Sequence, residues 1–304
     1  MTTAAETVAV RPRATPAARA VGFLAKTPVH VALIGLALLW LVPSVGLLVT
    51  SFRPRADIQS SGWWETLQGA SFTIRNYDLV LNANQMGSSF LNSAMIAFPA
   101  TILPLFIGAL AAYAFSWIRF PFRDTIFLLL VALMVVPIQS ALVPVLLEFQ
   151  EMGTWLTGDR TFFTGWYWGI WIAHTAFALP FCIFLLRNCF ITLPRDLIEA
   201  ARVDGATNWK IFSSIVLPLS VPALASFGIF QFLWVWNDLL MSLIFIQESE
   251  LWPMTIRISQ LQSTYGSEWH LLSAAAFLLM IVPLIVFFSL QRYFVQGLLA
   301  GSVK

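Results

Sequence analysis

Six long apolar runs constrain this chain more than anything else in it: residues 29–50, 90–115, 125–147, 166–190, 219–246 and 271–290. Each is bounded by polar, charged or Gly/Pro-containing stretches. A bilayer core takes about 20 mostly apolar residues per helix, and backbone polar groups inside it must be satisfied within the segment. The runs therefore predict an all-α, polytopic membrane bundle of six transmembrane helices. Charge supports this: charged residues are 11% of the 304, while hydrophobic residues are 59%. An ordinary soluble domain carries about 25% charged residues, so this chain cannot coat an aqueous surface over most of its length. No Lys/Arg stretch is dense enough to follow a nucleic-acid backbone.

Residues 1–27 read as a flexible cytoplasmic tail, 28–292 as the membrane domain and 293–304 as a cytoplasmic C-terminal tail. The run 29–50 is longer than a signal-peptide core and has no small-residue cleavage site behind it, so it is expected to stay as the first span. Of the 17 Lys and Arg, only Arg53, Arg55, Arg75, Arg160 and Arg257 fall on one side of the predicted bundle. The other side, holding both termini, is therefore expected to be cytoplasmic. Pro99, Pro104, Pro137, Pro144, Pro180 and Pro283 lie inside spans, where neighbouring helices can satisfy the carbonyls that prolines free. Cys182 and Cys189, seven residues apart on one predicted helix, are separated by about 10 Å of rise and cannot form a disulfide with each other.

Polar residues inside spans are costly and mark candidate sites. Gln231, Asp238 and Ser242, spaced by seven and four, are expected on one face of the fifth span, with Asn237 beside them. Two readings stand for this stripe: the wall of a solute pathway, or an interfacial and helix-packing role. Gln139 and Glu148 are further candidates for a cavity wall, whereas His30 and His174 read as packing or interface residues. The outer aromatics, including Trp63, Trp64, Trp166, Trp168, Trp252 and Trp269, fit an interfacial belt or a docking and sugar-stacking surface. The sequence has no phosphate-binding G-x-x-x-x-G-K-[ST] loop, no His/Cys metal spacing and no G-x-S-x-G elbow. No cofactor, no metal and no catalytic residue is expected, and the chain reads as a transport component rather than an enzyme.

The most informative stretch is 193–218, between the fourth and fifth runs. Pro194 and Asp196 mark a helix start, Gly205 its stop, and Asn208 is a candidate cap for a second helix. This predicts a short helix, a turn and a second helix at the inner membrane surface. Within it stand Glu199-Ala200-Ala201, then Gly205, then Ile215, Leu217 and Pro218. That pattern resembles the signature loop of binding-protein-dependent ABC importer permeases. The resemblance implies a type I importer fold in which this loop is a coupling helix seated in a cleft of a separate ATPase. The ATPase-coupling residues would be Glu199, Ala200, Ala201, Asp204, Gly205, Leu217 and Pro218.

Asn92-Ser93, Ala112-Tyr113-Ala114-Phe115, Arg119-Phe120-Pro121, Trp236-Asn237-Asp238 and Gln291 to Gly297 are similar to the carbohydrate-uptake branch, specifically its maltose-permease G-type subunits. The likeness runs from about residue 30 onward and is poor over the tail and residues 51–89. It implies a second, F-type permease subunit, two ATPase subunits and an extracellular solute-binding protein, in a bacterial plasma (inner) membrane. The implied solute is a sugar, first an alpha-glucoside such as maltose or trehalose. Glycerol phosphate or another oligosaccharide is the alternative, and an ion-coupled carrier using Asp238 a more distant one. Trp252, Pro253, Met254 and Thr255 are similar to a loop that reaches into the binding protein. The end, Ala300 to Lys304, is similar to tails that insert between the two ATPases.

Overall fold

A computed structural model describes residues 16–69, 71–83, 86–264 and 268–300. Residues 1–15 and Gly301 to Lys304, the core of the expected N-terminal tail and the end of the C-terminal one, lie outside it. The described residues are helical, without strands. The principal helices are α1 (Pro16–Ser51), α2 (Met86–Trp117), α3 (Arg123–Leu133), α4 (Ile138–Thr157) and α5 (Trp168–Phe190). They continue with α6 (Arg195–Val203), α7 (Asn208–Leu219), α8 (Val221–Trp236), α9 (Leu240–Phe245), α10 (Met254–Thr264) and α11 (Trp269–Ala300). Among the described residues, four helices are long and apolar enough to cross a membrane, or up to six if each of two bent pairs counts as one span.

The bent pairs are where the structure departs from straight spans. The run expected at 125–147 is two helices, α3 and α4, bent by 105°. Pro137 sits at the break with ψ 125° and carries no N–H to continue the ladder. The run expected at 219–246 is broken twice. α7 meets α8 at 74° around Ser220, between Pro218 and Pro222. α8 then stops at Trp236, and the chain re-forms a helix only at Leu240.

α2 and α5 form the centre of the bundle. Ala97, Ala100, Ala109 and Ala112 of α2 and Ala173 and Ala178 of α5 are buried. Small side chains let the two backbones approach, which is how helices gain contact where lipid removes the hydrophobic drive. At Gly108 the approach is so close that an added Cβ would collide with Cys182 Sγ. Both cysteines are free thiols.

Among the prolines inside helices, Pro99, Pro104 and Pro283 each free a carbonyl to which a neighbouring helix supplies a donor. Pro99 frees Met95 O, which accepts from Trp171 Nε1 at 2.9 Å. Pro104 frees Ala100 O, which accepts from Gln231 Nε2 at 3.1 Å. Pro283 frees Leu279 O, which accepts from Trp236 Nε1 at 2.9 Å. A carbonyl four residues before a proline has lost its partner, and in an apolar medium it is costly unless paired. These three bonds tie α5 and α8 to α2, and α8 to α11. α1, α3 and much of α4 instead present apolar side chains outward, Trp40 and Leu128 among them.

The segment after α1 folds over one end of the bundle. Arg53 is buried and donates to Asp57 O (2.9 Å), Ser61 O (3.1 Å) and Ser61 Oγ. Asn76 donates to Ser51 O (2.8 Å) and Arg53 O (2.9 Å), capping the end of α1. Arg55 pairs with Glu268 at 2.8 Å, holding this segment to the start of α11.

Candidate functional site

Two regions hold the residues singled out by sequence. The first is the loop at 193–218. α6 starts after Pro194, with Asp196 in its first turn, where a negative charge favours the positive helix end. It ends in a two-bond stop: Gly205 N donates to Arg202 O (3.0 Å) and Ala206 N to Ala201 O (2.9 Å). Gly205 has φ +79°, a left-handed value that a side chain disfavours. The next helix is capped by Thr207, whose hydroxyl accepts from Lys210 N at 3.3 Å. The cap is therefore not Asn208. That residue sits inside the helix, with Oδ1 3.4 Å from the Tyr113 hydroxyl.

Ile198 is fully buried among Tyr113, Leu186, Phe190, Ile211 and Phe212, which seats α6 under α2 and α5. Arg202 Nη2 donates to Trp117 O, the last carbonyl of α2, at 3.0 Å. Outward, Glu199, Ala200, Asp204 and Gly205 are exposed. So are three large apolar side chains: Leu197 (47%), Val203 (88%) and Trp209 (61%). Ala201 faces partly inward, and Leu217 and Pro218 lie at the root of α8.

The second region is a pair of cavities beside α8. One, of about 310 Å³, lies between α5 and α8 and is lined by His174, Phe177, Phe181, Phe230, Gln231 and Trp234 among others. The other, of about 480 Å³, is lined by Gln139, Asn237 and Asp238. They share Ile138, Phe230 and Trp234, so they adjoin.

The expected single polar face of Gln231, Asp238 and Ser242 is not continuous, because the helix ends between the first and second of them. Asn237 is the C-terminal cap of α8 and returns its amide to Leu233 O at 2.8 Å. Asp238 caps α9, its carboxylate accepting from Met241 N (3.3 Å) and Ser242 N (3.0 Å). Ser242 is buried against it. Gln231 and Asp238 still reach adjoining cavities, and between them stands His174, with Nε2 3.9 Å from Asp238 Oδ2. His174 read as a packing residue in sequence. An ionisable side chain within a span is itself the signal that makes it a candidate.

The segment expected to reach into a binding protein packs against α2, with Trp252 and Thr255 partly exposed. Pro253 and Met254 are buried. Met254 N donates to Ser93 Oγ (2.9 Å), and Thr255 Oγ1 donates to Asp238 O (2.8 Å). Trp252 Nε1 donates to Ile246 O at 3.2 Å, and Asn92 donates to Glu250 O (2.7 Å) and Trp252 O (3.2 Å). Gln247 to Glu250, just before it, are exposed. Asn92 and Ser93 thus lock this segment onto α2.

The chain shares this architecture with solved importers. It superposes on a chain of a bacterial ABC transporter involved in the import of the acidic polysaccharide alginate, with TM-score 0.73 and 21% identity, over 93% of this chain and 100% of that one. A bacterial alginate ABC transporter in complex with alginate pentasaccharide-bound periplasmic protein matches with TM-score 0.65 and 15% identity, over 89% of this chain and 95% of that one. In sequence it is 50% identical over 287 residues, 93% of each chain, to the osmoprotective compounds uptake permease protein GgtD of Synechocystis. It is also 50% identical over 235 residues to the alpha-glucoside transport system permease protein AglG of Rhizobium meliloti, covering 77% of this chain and 60% of that one. Residues 104–299 match the family described as binding-protein-dependent transport system inner membrane component. With that match, a 50% identical permease relative and the shared importer fold, this multi-pass membrane chain belongs to the binding-protein-dependent transport system inner membrane components, the permease subunits of ABC importers.

Proposed function

We propose that this permease conducts a neutral sugar, of the alpha-glucoside kind, into the cell by alternating access driven from a separate ATPase. The observation that carries the coupling is α6. Its Leu197 and Val203 stand exposed at the inner surface, while Ile198 and Arg202 bind it to the ends of the spans. Exposed apolar side chains rimmed by polar ones mark a docking surface. Small Ala200 and the Gly205 turn allow close approach of the partner. A pull on α6 then reaches α2 through Arg202 and α8 through the bend at Ser220.

The sugar reading rests on the named substrates of relatives, AglG and the melibiose/raffinose/stachyose import permease protein MelC of Bacillus subtilis among them. It is supported by the cavities, whose wall includes the Asp238 carboxylate and no Lys or Arg among the described residues. That wall suits a neutral solute better than glycerol phosphate. A proton relay through Asp238 is disfavoured because both of its carboxylate oxygens are committed to capping α9.

The working assembly is this chain, an F-type partner permease, two ATPase subunits and an extracellular binding protein. The membrane domain spans 28–292, and the tails 1–27 and 293–304 both lie in the cytoplasm. The test is uptake by the complete complex in proteoliposomes with maltose or trehalose. Uptake that requires ATP and the binding protein, and is indifferent to a proton gradient, is the expected result. Uptake by the purified chain alone, or driven by the gradient, overturns the reading.

A further inference from the structure

We propose that the phosphodiester headgroup of an anionic phospholipid binds between α3 and α5, at the end of the bundle where α6 lies, with Arg187 and Arg119 as its cationic partners. The site is separate from the cavities beside α8 and does not depend on which solute is carried.

Arg187 is the cation that points to a ligand. It stands three residues before the end of α5. Cβ atoms of a helix lean toward its N-terminus, here back into the apolar layer. The guanidinium lies over the Phe127 ring of α3, its central carbon 4.1 Å from the ring centroid. Nε is enclosed there without a hydrogen-bond partner, so a ligand meets only the two terminal nitrogens. Those are open to the surface. Among the described residues the side chain has no ion pair, and its terminal nitrogens have no hydrogen bond. A cation at the edge of the apolar layer is costly without a counter-charge. Packing over a ring occupies the face of a guanidinium and leaves its edge for the paired N–H bonds that a phosphate accepts.

A second unpaired cation stands close by. Arg123, one turn before Phe127 on α3, is paired with Asp124 at 3.1 Å. Arg119, in the link from α2 to α3, is exposed and in no ion pair among the described residues. Ring contacts from Phe120 to Phe115 (5.4 Å) and from Phe115 to Phe127 (5.8 Å) bring that link beside the ring under Arg187.

The surroundings favour a lipid over a free anion. Phe122, at the tip of the link, is 77% exposed and holds φ +59°, a value that a β-carbon disfavours. Ile126, Leu129 and Leu133 continue an exposed apolar face along α3. Bare apolar side chains just below unpaired arginines match acyl chains below a phosphate, and basic pockets between spans at headgroup level take anionic lipids. No residue of α3 is fully buried, so a headgroup shared with Arg187 would brace this helix against α5.

The test uses the complete transporter in phosphatidylcholine nanodiscs, with a diazirine-bearing phosphatidylglycerol as photolabel. Label is expected on α3 or on the last two turns of α5. Added phosphatidylglycerol should compete it away, while equal phosphatidylcholine and millimolar inorganic phosphate should not. Arg187→Gln should lower this labelling about fivefold and Arg187→Lys less, since lysine keeps the charge and loses the fork. Arg119→Gln should lower it about twofold. Arg119 is exposed and unpaired, so its removal leaves folding intact, and this variant decides alone if Arg187→Gln does not assemble. A purely structural Arg187 predicts a thermal midpoint lowered equally in phosphatidylcholine and phosphatidylglycerol discs, with labelling unchanged. Absence of label from α3 and α5, equal competition by phosphatidylcholine, or unchanged labelling in the glutamine variants overturns the site. Competition by inorganic phosphate overturns its assignment to lipid.

Discussion

Gln231 gives its side-chain amide to the carbonyl of Ala100, 3.1 Å away and 131 residues earlier in the chain. That carbonyl is open because Pro104 has no N–H. One residue thus belongs to two systems: it lines the cavity beside α8, and it repairs the proline defect in α2. The first role was legible as a polar side chain in an apolar span. The second depends on which helix lies alongside.

Gln231→Leu is expected to destabilise the assembled complex by about 1 kcal/mol, within the range of interhelical hydrogen bonds in membranes. In a Pro104→Ala background the cost should shrink, because the substituted alanine returns an N–H to the Ala100 carbonyl. A double-mutant cycle on thermal unfolding in nanodiscs checks this. Additive costs would show that the bond does no repair.

The same logic applies to Trp236 and Pro283. Trp236 is buried at 2% exposure and donates to Leu279 O. Trp236→Phe keeps most of the packing and loses the donor, at a cost of roughly 1–2 kcal/mol. Pairing it with Pro283→Ala should recover part of that loss in the same melting experiment.

Arg202→Leu tests whether α6 acts on α2. The side chain is exposed, so the change in stability should stay within about 1 kcal/mol. Solute moved per ATP should fall several-fold, because the link to Trp117 O is gone. Arg202→Lys should be intermediate, since a single ammonium cannot reproduce the guanidinium fork. Uptake and ATP turnover measured on the same vesicles decide it, and an unchanged ratio would remove Arg202 from the coupling path.

Gly205→Pro and Glu199→Lys address the loop itself. Proline holds φ near −65°, far from the +79° of Gly205, and it deletes the N–H that closes on Arg202 O. Glu199→Lys reverses charge on the exposed face. Both chains should still insert in the membrane, while solute-stimulated ATP turnover is abolished. Normal turnover in both variants would contradict the coupling role of α6.

Gly108→Leu should be the most damaging change at the α2–α5 contact. The new side chain meets Cys182, and overpacking of this kind costs about 1–3 kcal/mol. Gly108→Ala should be partly relieved by Cys182→Ala, read as recovered yield of assembled complex.

The sequence by itself determined the membrane-spanning all-α character, the helix–turn–helix of the 193–218 loop and the left-handed stop at Gly205. These are local properties: runs of apolar residues, a proline and an acid at a helix start, a glycine at its end. The bends were not legible to that degree. A proline marks a place where a helix can break, but Pro99, Pro104 and Pro283 remain inside continuous helices, whereas α3 and α4 part at Pro137 by 105°. Whether a freed carbonyl is answered by Trp171, Gln231 or Trp236 depends on the neighbouring helix, and no local pattern encodes it. Tertiary structure also separated Asp238 from the helix that carries Gln231, packed Pro253 and Met254 against α2, and left His174 Nε2 without a hydrogen-bond partner among the described residues. Hydrogen-bond partners 43 to 131 residues apart are chosen by packing, and packing is what set the polar groups around the cavities.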